Sequence, residues 1–438
     1  MNRALLLYAV MAVMLLAVGL LQSWQLMLTI FNLCLISAVM ALGVNVQWGV
    51  AGMFNVGTMG SAAVGGLAVV LVSAPPVRAA WAAGGSSLLI AAALLAVFII
   101  VASVVWRRLS HAPSKRAVAV AVVMLLGFYL ARRWFAPAVE AIEAVDPARA
   151  GYLGGLDLPV VLSWAVGGVL AALVAWPIGR LTASLRSDYL AVATLGISEI
   201  ILSILRNEDW LARGVKNVTG LPRPVPYEAD VQALGWVQHL ADFLGWSVRD
   251  TASVLVKLAY SAWFVAVLIL IWWALERLAR APWGRMMRAI RDNEEAARAM
   301  GKDVARRHLQ AFVLGSAIVG IGGAMLVTLD GQFTAGTYQP LRYTFLIWVM
   351  VIIGGSGNHR GAVLGSFLIW FVWVQTETAG TWLAEAGAYL FAPGDAFRVA
   401  LEQSPAQLRY LVMGLILMLV MRFAPRGLLP EAAPETPK

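Results

Sequence analysis

Long apolar runs separated by short polar segments dominate the chain. Residues 4–21, ALLLYAVMAVMLLAVGLL, carry no charge at all. A run of about 18 such residues is long enough to cross the hydrocarbon core of a bilayer as an α-helix. The pattern recurs, with an occasional polar residue, in twelve segments: 4–21, 26–46, 58–73, 86–105, 116–131, 158–179, 188–205, 254–275, 308–329, 343–353, 361–375 and 408–421. We therefore predict an all-α polytopic membrane protein with about 10–12 transmembrane segments, since several runs are shorter than ~20 residues.

The polar segments between these runs divide the chain further. We predict one transmembrane domain over residues 1–430, followed by a disordered tail over 431–438. Residues 206–253, rich in Pro and Trp, form the longest loop on one side. Residues 276–307 form a strongly charged loop that belongs to the other side. The loop 206–253 is too short for an independent catalytic domain of ordinary size.

Basic residues cluster between the predicted spans. The formal net charge is +9, which in a soluble protein would suggest nucleic acid as a partner. Here the basic residues lie between spans, in 107–116, 276–307 and the segment after 421. If each run crosses once, these segments and Arg3 lie on the same side. The positive-inside rule then places both termini in the cytoplasm and removes the argument for nucleic acid.

Two glycine-rich stretches interrupt the apolar pattern. The first, QWGVAGMFNVGTMG (47–60), contains Gly49, Gly52, Asn55 and Gly57. The second, IGGSGNHRGAVLG (353–365), contains Gly354, Gly355 and Gly357. Backbone that leaves the helix at membrane depth must be buried in protein or line a wet cavity. We name these seven residues as candidates for a translocation path. The alternative is that the glycines form tight turns or allow close helix packing.

Ionisable residues inside the spans are few, and Glu199 is the clearest. It lies in the middle of DYLAVATLGISEIILSIL (188–205). A charge at membrane depth indicates a functional role by default, so Glu199 joins the candidate translocation path. The alternative is that it pairs with a neighbour such as Arg206. The scarcity of embedded carboxylates argues against an ion-coupled carrier, which needs such relays.

The stretch WGRMMRAIRDNEEAARAM (283–300) predicts a helix outside the bilayer. Apolar residues recur at helical spacing at Met286, Met287, Ile290, Ala297 and Met300, with Arg and Glu on the other face. Gly301 is expected to end this helix, and a second short helix from Asp303 to lead into the next span. Such a surface suits docking into the groove of a partner protein. Resting on lipid headgroups is the alternative, but Glu294 and Glu295 are unfavourable on an anionic surface.

Residues 295–301, E-A-A-x-x-x-G, match the coupling-helix signature of ABC importer permeases, although the usual I-x-L-P continuation is absent. The chain resembles the LivM-type permeases of bacterial branched-chain amino acid importers in five further segments: 41–57, 185–201, the loop to 218–224, 351–365 and 422–430. Residues 74–157, which hold two apolar runs, have no match in the usual pattern. The stretch RGVKN (213–217) stands where the family typically has Gly-Pro-Asn-Gly.

The resemblance implies a membrane subunit that works with several partners. These would be a second homologous permease, two cytoplasmic ABC ATPase subunits and a periplasmic substrate-binding protein, in the bacterial inner membrane. The ATPase-coupling residues would be Glu294, Glu295, Ala296, Ala297 and Gly301, with Arg288 and Arg291 beside them. The substrate would be a branched-chain or related small apolar amino acid. Urea or a short amide is the second substrate class, because related permeases of this layout carry them.

The sequence also argues against an enzyme. A phosphate-binding loop needs G-x-x-x-x-G-K-[ST], yet the only Gly-Lys pair, Gly301–Lys302, has Ala296 at the first glycine position and Asp303 after the lysine. We therefore expect ATP and Mg²⁺ to bind on the partner ATPases and no cofactor on this chain. One cysteine, Cys34, and four dispersed histidines give no support for a metal site.

Overall fold

Long helices make up most of the structure, a computed structural model that describes residues 3–109, 113–147, 150–182, 185–390 and 407–431. Within these ranges, nine helices are long and apolar enough to span a membrane, and two shorter apolar helices accompany them. The only sheet in these ranges has two short strands. The predicted fold class, an all-α polytopic membrane protein, is confirmed.

In chain order, the helices are α1 (Arg3–Leu21), α2 (Trp24–Val44), α3 (Thr58–Ser73), α4 (Arg78–Ala80), α5 (Ser86–Arg108), α6 (Pro113–Glu143), α7 (Val160–Thr182), α8 (Ser187–Asn207), α9 (Asp209–Ala212), α10 (Glu228–Gln232), α11 (Gly235–Leu244), α12 (Val248–Arg280), α13 (Pro282–Asp292), α14 (Glu294–Ala299), α15 (Val304–Asp330), α16 (Pro340–Gly354), α17 (His359–Leu390) and α18 (Leu408–Phe423). A π-helix, Asn45–Val50, continues α2, and another, Trp81–Gly85, leads into α5. Strand β1 (Val218–Thr219) pairs antiparallel with β2 (Gln332–Phe333).

Each of the twelve predicted apolar runs overlaps a helix of at least 15 residues. The run 58–73 coincides with α3, whereas 254–275 is the apolar middle of the 33-residue α12. The helices are longer than the runs because polar residues continue the helix beyond the hydrocarbon. Arg277 and Arg280 in the last turn of α12 are an example, and basic side chains there interact favourably with the helix dipole.

Helix α15 lies at the centre of the bundle, packed against α2, α3 and α7. Glycines allow these backbones to approach closely, as is common between membrane helices. A methyl group at Gly43 of α2 would meet the carbonyl oxygen of Gly315 at 2.6 Å. Side chains at Gly65 or Gly323 would collide with backbone atoms of Gly320 or Ala62. The central packing therefore depends on small residues on three helices.

Helices α5 and α6 form a peripheral hairpin that covers most of the region 74–157. They pack mainly on each other, and only 11% of the apolar window of each is buried. One end of the hairpin contacts the rest of the chain through Ala80, Ile142 and Trp210. There the backbone nitrogen of Trp210 donates to the Glu143 carboxylate at 3.2 Å. The hairpin is thus an appendage of the bundle rather than part of its core.

The two ends of the bundle differ in charge and in what they bring together. We call the end that carries residues 281–303 the basic end. The beginning of α1 lies there, because Tyr8 Oη donates to the carbonyl of Arg360, next to the second glycine stretch, at 2.7 Å. Glu431 also lies there, 2.9 Å from Arg291. The opposite end carries α9–α11 and β1, which lie within the loop predicted at 206–253, and β2, which follows α15.

Candidate functional site

The charged loop at the basic end contains two helices, α13 and α14, with a break at Asn293. Asn293 has extended backbone (φ −155°, ψ 98°), and its side chain accepts a hydrogen bond from the nitrogen of Ala296 at 2.9 Å. It therefore ends α13 and caps α14, a role for which asparagine is well suited. The predicted single helix over 283–300 is wrong. The apolar periodicity continues through position 293, but the side-chain amide of Asn293 competes for backbone N–H donors and interrupts the helix there.

The loop is joined directly to the spans on both sides of it. Gly301 has a φ of +75°, the left-handed conformation that favours glycine after a helix. Asp303 then caps the long helix α15 by accepting from the nitrogen of Arg306 at 3.0 Å. The predicted second short helix from Asp303 is also wrong, since this segment is already the first turn of the span. Any displacement of α14 is therefore transmitted to α15 through only four residues.

The loop has a buried apolar side and an exposed acidic side. Met287 and Ile290 are almost fully buried and pack in one cluster with Val50 and Met53 of the first glycine stretch. Ala297 is buried as well, whereas Met300, predicted on the same stripe, is 79% exposed. The exposed side holds Glu294, Glu295 and Ala296, with Glu294 paired to Arg298 at 2.5 Å. The buried side attaches the loop to the bundle and leaves the acidic edge open.

Arg291 connects the charged loop to both glycine stretches. Its guanidinium donates to the carbonyl oxygen of Gly49 in the π-helix and lies 2.9 Å from the Glu431 carboxylate. Gly52 has a φ of +74°, and a side chain there would meet Cγ of Arg291 at 3.1 Å. Arg288, one turn earlier, lies 3.7 Å from Glu431 and donates to the carbonyl of Ala279 at 3.0 Å. Both predicted arginines thus face the bundle rather than the open edge.

The two glycine stretches meet each other at the basic end. Asn45 Oδ1 accepts from the nitrogen of Gly357 at 2.9 Å, and its Nδ2 lies 3.0 Å from Nδ1 of His359. A side chain at Gly49 would collide with Asn45 and Gly357. Gly357 itself has a φ of +84°. Close backbone contact between the stretches leaves no room for side chains at these glycines, while their role in a translocation path stays a prediction.

The second stretch is covered by the C-terminal segment. The nitrogens of Leu428 and Leu429 donate to the carbonyls of Ile353 and Gly354 at 2.8 and 2.9 Å. Gly355 has a φ of +120° and packs against the backbone of Leu429. These bonds satisfy carbonyl groups that the end of α16 leaves open. Residues 432–438 of the predicted tail lie outside the described part of the chain.

Asn55 and Gly57 lie in the limb of the first stretch that returns to α3. Asn55 is 2% exposed, donates to Gln47 Oε1 at 2.9 Å and accepts from the nitrogen of Gly57 at 2.9 Å. Its carbonyl accepts from the indole nitrogen of Trp348 at 3.2 Å. The Thr194 hydroxyl of α8 accepts from the nitrogen of Val56 at 3.1 Å. Non-helical backbone at membrane depth needs such partners, and here three neighbouring elements supply them.

An apolar cavity of about 190 Å³ lies among α2, α3, α15, α16 and α17. Its wall includes Met40, Met59 and Met350, which lie close in sequence to the two glycine stretches. Asp330 and Tyr338 line the part that belongs to the opposite end of the bundle. Burial raises the pKa of the Tyr338 phenol. The cavity has the apolar character expected for a small aliphatic ligand.

Glu199 lies on an exposed face of α8. It forms no ion pair with Arg206 or with any other residue that the structure describes. The same face presents Ser203 and Gly196, and a methyl group added at Gly196 would have nothing within 4 Å. A carboxylate on a lipid-facing surface in mid-span is costly. In the isolated chain this face of α8 therefore lacks the polar surroundings that the Glu199 carboxylate needs.

Some residues of the site were not recognised in the sequence. Asn45, Gln47 and Asn293 make the decisive side-chain contacts, and Glu431 joins the charged loop to the C-terminal segment. Asn45 and Gln47 could have been found from the sequence, since they are two amides, one residue apart, at the end of an otherwise apolar run. Nothing local distinguishes Glu431 from the other acidic residues of the tail.

The structure is a bundle of membrane helices with a charged helical loop. The loop contacts helices that end at glycine-rich stretches. This arrangement is that of the membrane component of a transport system. A family model described as the permease component of branched-chain amino acid transport systems matches residues 117–421. The chain belongs to this family. The match begins inside α6, so the second helix of the peripheral hairpin falls within it.

Curated relatives agree with the family. The chain is 27% identical over 285 residues to the probable branched-chain amino acid transport permease protein LivM of Methanocaldococcus jannaschii, covering 65% of this chain and 71% of that protein. It is 26% identical to LivM of the high-affinity system of Escherichia coli K12, covering 62% of this chain and 57% of that protein. A shorter match, 27% identical over 49% of this chain and 55% of the relative, is to an autoinducer 2 import permease, LsrC, of Enterobacter. No solved structure matches the chain.

Proposed function

We propose that the chain is a membrane subunit of an ATP-driven importer that moves branched-chain or related small apolar amino acids across the bacterial inner membrane. The family and the names of the LivM relatives support this assignment. The observation that carries the mechanism is the two-sided loop. Its acidic edge at Glu294 and Glu295 is exposed, while Met287, Ile290 and Arg291 attach its other side to the first glycine stretch.

The proposed assembly places partners at both ends of the bundle and beside it. Two ATPases bind the α14 edge in the cytoplasm, a second homologous permease packs beside this chain, and a periplasmic binding protein delivers ligand to 206–253. The basic end, with both termini, then lies in the cytoplasm, as the positive-inside rule requires. ATP and Mg²⁺ bind to the ATPases.

Alternating access follows from how the loop is connected. When the ATPases close on ATP, α14 moves with them, and α12 and α15 follow because only short connections separate them from the loop. Arg291 transmits the same motion to the π-helix of the first stretch. That stretch contacts the second one through Asn45 and Gly357. A shift at this junction would open the apolar cavity on the side where Met59 and Met350 form its wall.

Glu199 supports the assignment of a second permease. Its face of α8 would be covered by that subunit, and a polar path between the two would keep the carboxylate hydrated. The embedded Glu199, the paired glycine stretches and the cavity would together guide a small zwitterion past an otherwise apolar barrier. Urea or a short amide remains the second substrate class.

A charge reversal tests the docking assignment. In the importer assembled with its ATPases, second permease and binding protein, Glu295→Lys should lower ATP-dependent uptake about tenfold or more, because an interfacial charge is turned against its partner. Copurification of the ATPases should weaken in parallel. Glu140→Lys, at an exposed position on the peripheral hairpin, is the matched control. Unchanged copurification of the Glu295→Lys protein would refute the docking of this edge.

The substrate class needs a separate measurement. Uptake of radiolabelled leucine, isoleucine and urea into vesicles with the assembled importer should show saturable transport of the amino acids only. Saturable urea uptake that leucine does not inhibit would replace the proposed substrate by the second class.

A further inference from the structure

An apolar groove of about 560 Å³ runs between α1 and α12 near the basic end. Leu5 forms one wall, Ile269 and Trp272 the other, and Val363 of α17 the floor. Arg360 lies at one end of the groove. No part of the proposed transport mechanism uses this groove.

The groove opens towards lipid rather than towards water. Both α1 and α12 are candidate membrane spans. Leu5 is 63% exposed and Ile269 is 57% exposed in the chain, so two long apolar side chains flank an unfilled space. In a bilayer such a space is filled by hydrocarbon, because water would gain no hydrogen bonds from these walls. An acyl chain fits the shape and the chemistry of the groove.

Arg360 gives the groove one cationic end. Its backbone is fixed, because its nitrogen donates to Asn358 Oδ1 at 3.0 Å and its carbonyl accepts from Tyr8 at 2.7 Å. Its guanidinium, in contrast, has no ion pair or hydrogen bond with any residue that the structure describes. Arg360 is the second residue of α17 and so lies where that span leaves the hydrocarbon. A guanidinium at this level is matched by a phosphate oxygen, which it binds with favourable geometry.

We propose that this groove is a binding site for one anionic phospholipid, with an acyl chain between α1 and α12 and the phosphate on Arg360. The anionic headgroup is favoured over a zwitterionic one because Arg360 has no ion-pair partner in the described chain that would compete for it, and a choline group would bring a second positive charge close by. The binding itself is independent of the transported substrate.

The site has a consequence for the junction of the glycine stretches. Asn358, which holds the backbone of Arg360, also donates to the carbonyls of Leu429 and Pro430 at 3.1 and 3.3 Å. Gly357 is its neighbour in the chain and binds Asn45. A lipid on Arg360 therefore stabilises the turn that joins the second stretch, the C-terminal segment and the first stretch. Anionic lipid is expected to stabilise the folded protein at this point.

Native mass spectrometry of the purified chain tests the headgroup. Titrated with palmitoyl-oleoyl phosphatidylglycerol, the unmodified protein should hold one tightly bound lipid. Phosphatidylcholine should bind about tenfold more weakly, because its choline group brings a second positive charge close to Arg360. Arg360→Gln should remove the preference for phosphatidylglycerol, and Arg360→Lys should keep most of it. Arg277→Gln is the matched control, because Arg277 also lies near the basic end but is stacked on Trp273 at 4.5 Å. Inorganic phosphate should not compete, since it has no acyl chain.

Site-specific quenching tests the acyl chain. In a Cys34→Ser background, a bimane label on Ile269→Cys should be quenched more by chain-brominated phosphatidylglycerol than by brominated phosphatidylcholine. Leu258→Cys on the same helix, also exposed, should be quenched equally by both. The proposal is overturned if Ile269 behaves like Leu258, or if Arg360→Gln binds phosphatidylglycerol as tightly as the unmodified protein. Retained binding of phosphatidylglycerol by Arg360→Lys shows that substitution at this position leaves the protein folded.

Discussion

Arg291 of α13 donates a hydrogen bond to the carbonyl oxygen of Gly49, which lies 242 residues earlier in the π-helix that continues α2. The carbonyls of a helix end are open acceptors, and a guanidinium is a donor that stays charged at all relevant pH values. The charged loop is thus joined to the first glycine stretch by a side chain as well as through the spans α12 and α15.

Loss of this contact should uncouple transport from ATP hydrolysis without preventing assembly of the importer. Arg291→Gln leaves the exposed edge at Glu294 and Glu295 intact, so the ATPases should still bind. The ratio of substrate transported to ATP hydrolysed should fall about tenfold, since a charged hydrogen bond contributes roughly 1.5–3 kcal/mol. Arg285→Gln, which changes an exposed arginine of the same helix, is the control. Equal ratios in the two variants would show that Arg291 does not transmit the motion.

The junction of the two stretches should be sensitive to Asn45. Asn45→Leu keeps the volume but leaves the nitrogen of Gly357 and the ring of His359 without their partner. An unsatisfied buried group costs about 1–3 kcal/mol, so the thermal unfolding midpoint in detergent should fall by several degrees. Gln238→Leu, an exposed amide on α11, should leave the midpoint unchanged. A stable Asn45→Leu protein would mean that the junction does not contribute to folding.

The membrane helices could be predicted from the sequence because their signal is local and strong. A run of apolar residues long enough to cross the bilayer has few other stable structures, since backbone groups in hydrocarbon must bond within the segment. The charged loop was harder. Asparagine can occupy a helix interior or an N-cap. The contacts of Met287 and Ile290 with the first stretch favour the N-cap position for Asn293, and these contacts are not visible in the sequence.

The candidate site was predictable in its parts but not in its assembly. Glycine at positions 49, 52, 355 and 357 indicated irregular backbone, and the structure has left-handed φ values at three of them. That Asn45 binds Gly357, 312 residues away, follows from the packing of α2 against α16 and α17, which no local pattern encodes. Irregular backbone also occurs where no glycine indicates it, since Arg213 and Asn217 have positive φ values.

The central glycines provide a test of the packing. Gly65→Ala would place a methyl group into the backbone of Gly320, and overpacking of this kind costs about 1–3 kcal/mol. Yield and the unfolding midpoint of the isolated chain should both fall. Gly196→Ala, also in a membrane helix, has nothing within 4 Å of the added methyl group and should cost no stability. Equal effects of the two substitutions would contradict the close approach of α3 and α15.

Glu199 offers the sharpest test of where the second permease lies. Its face of α8 is uncovered in the single chain, and its carboxylate requires a polar surrounding. In a Cys34→Ser background, a maleimide that reacts only in water should label Glu199→Cys slowly in the isolated chain, where this position faces lipid, and faster once the second permease encloses a polar path there. A bifunctional thiol reagent should then link it to cysteines placed on that subunit. Val122→Cys on the peripheral hairpin, 57% exposed, should form no such link. Crosslinks from Val122 and none from Glu199 would place the partner against the hairpin and leave the embedded carboxylate without the role proposed for it.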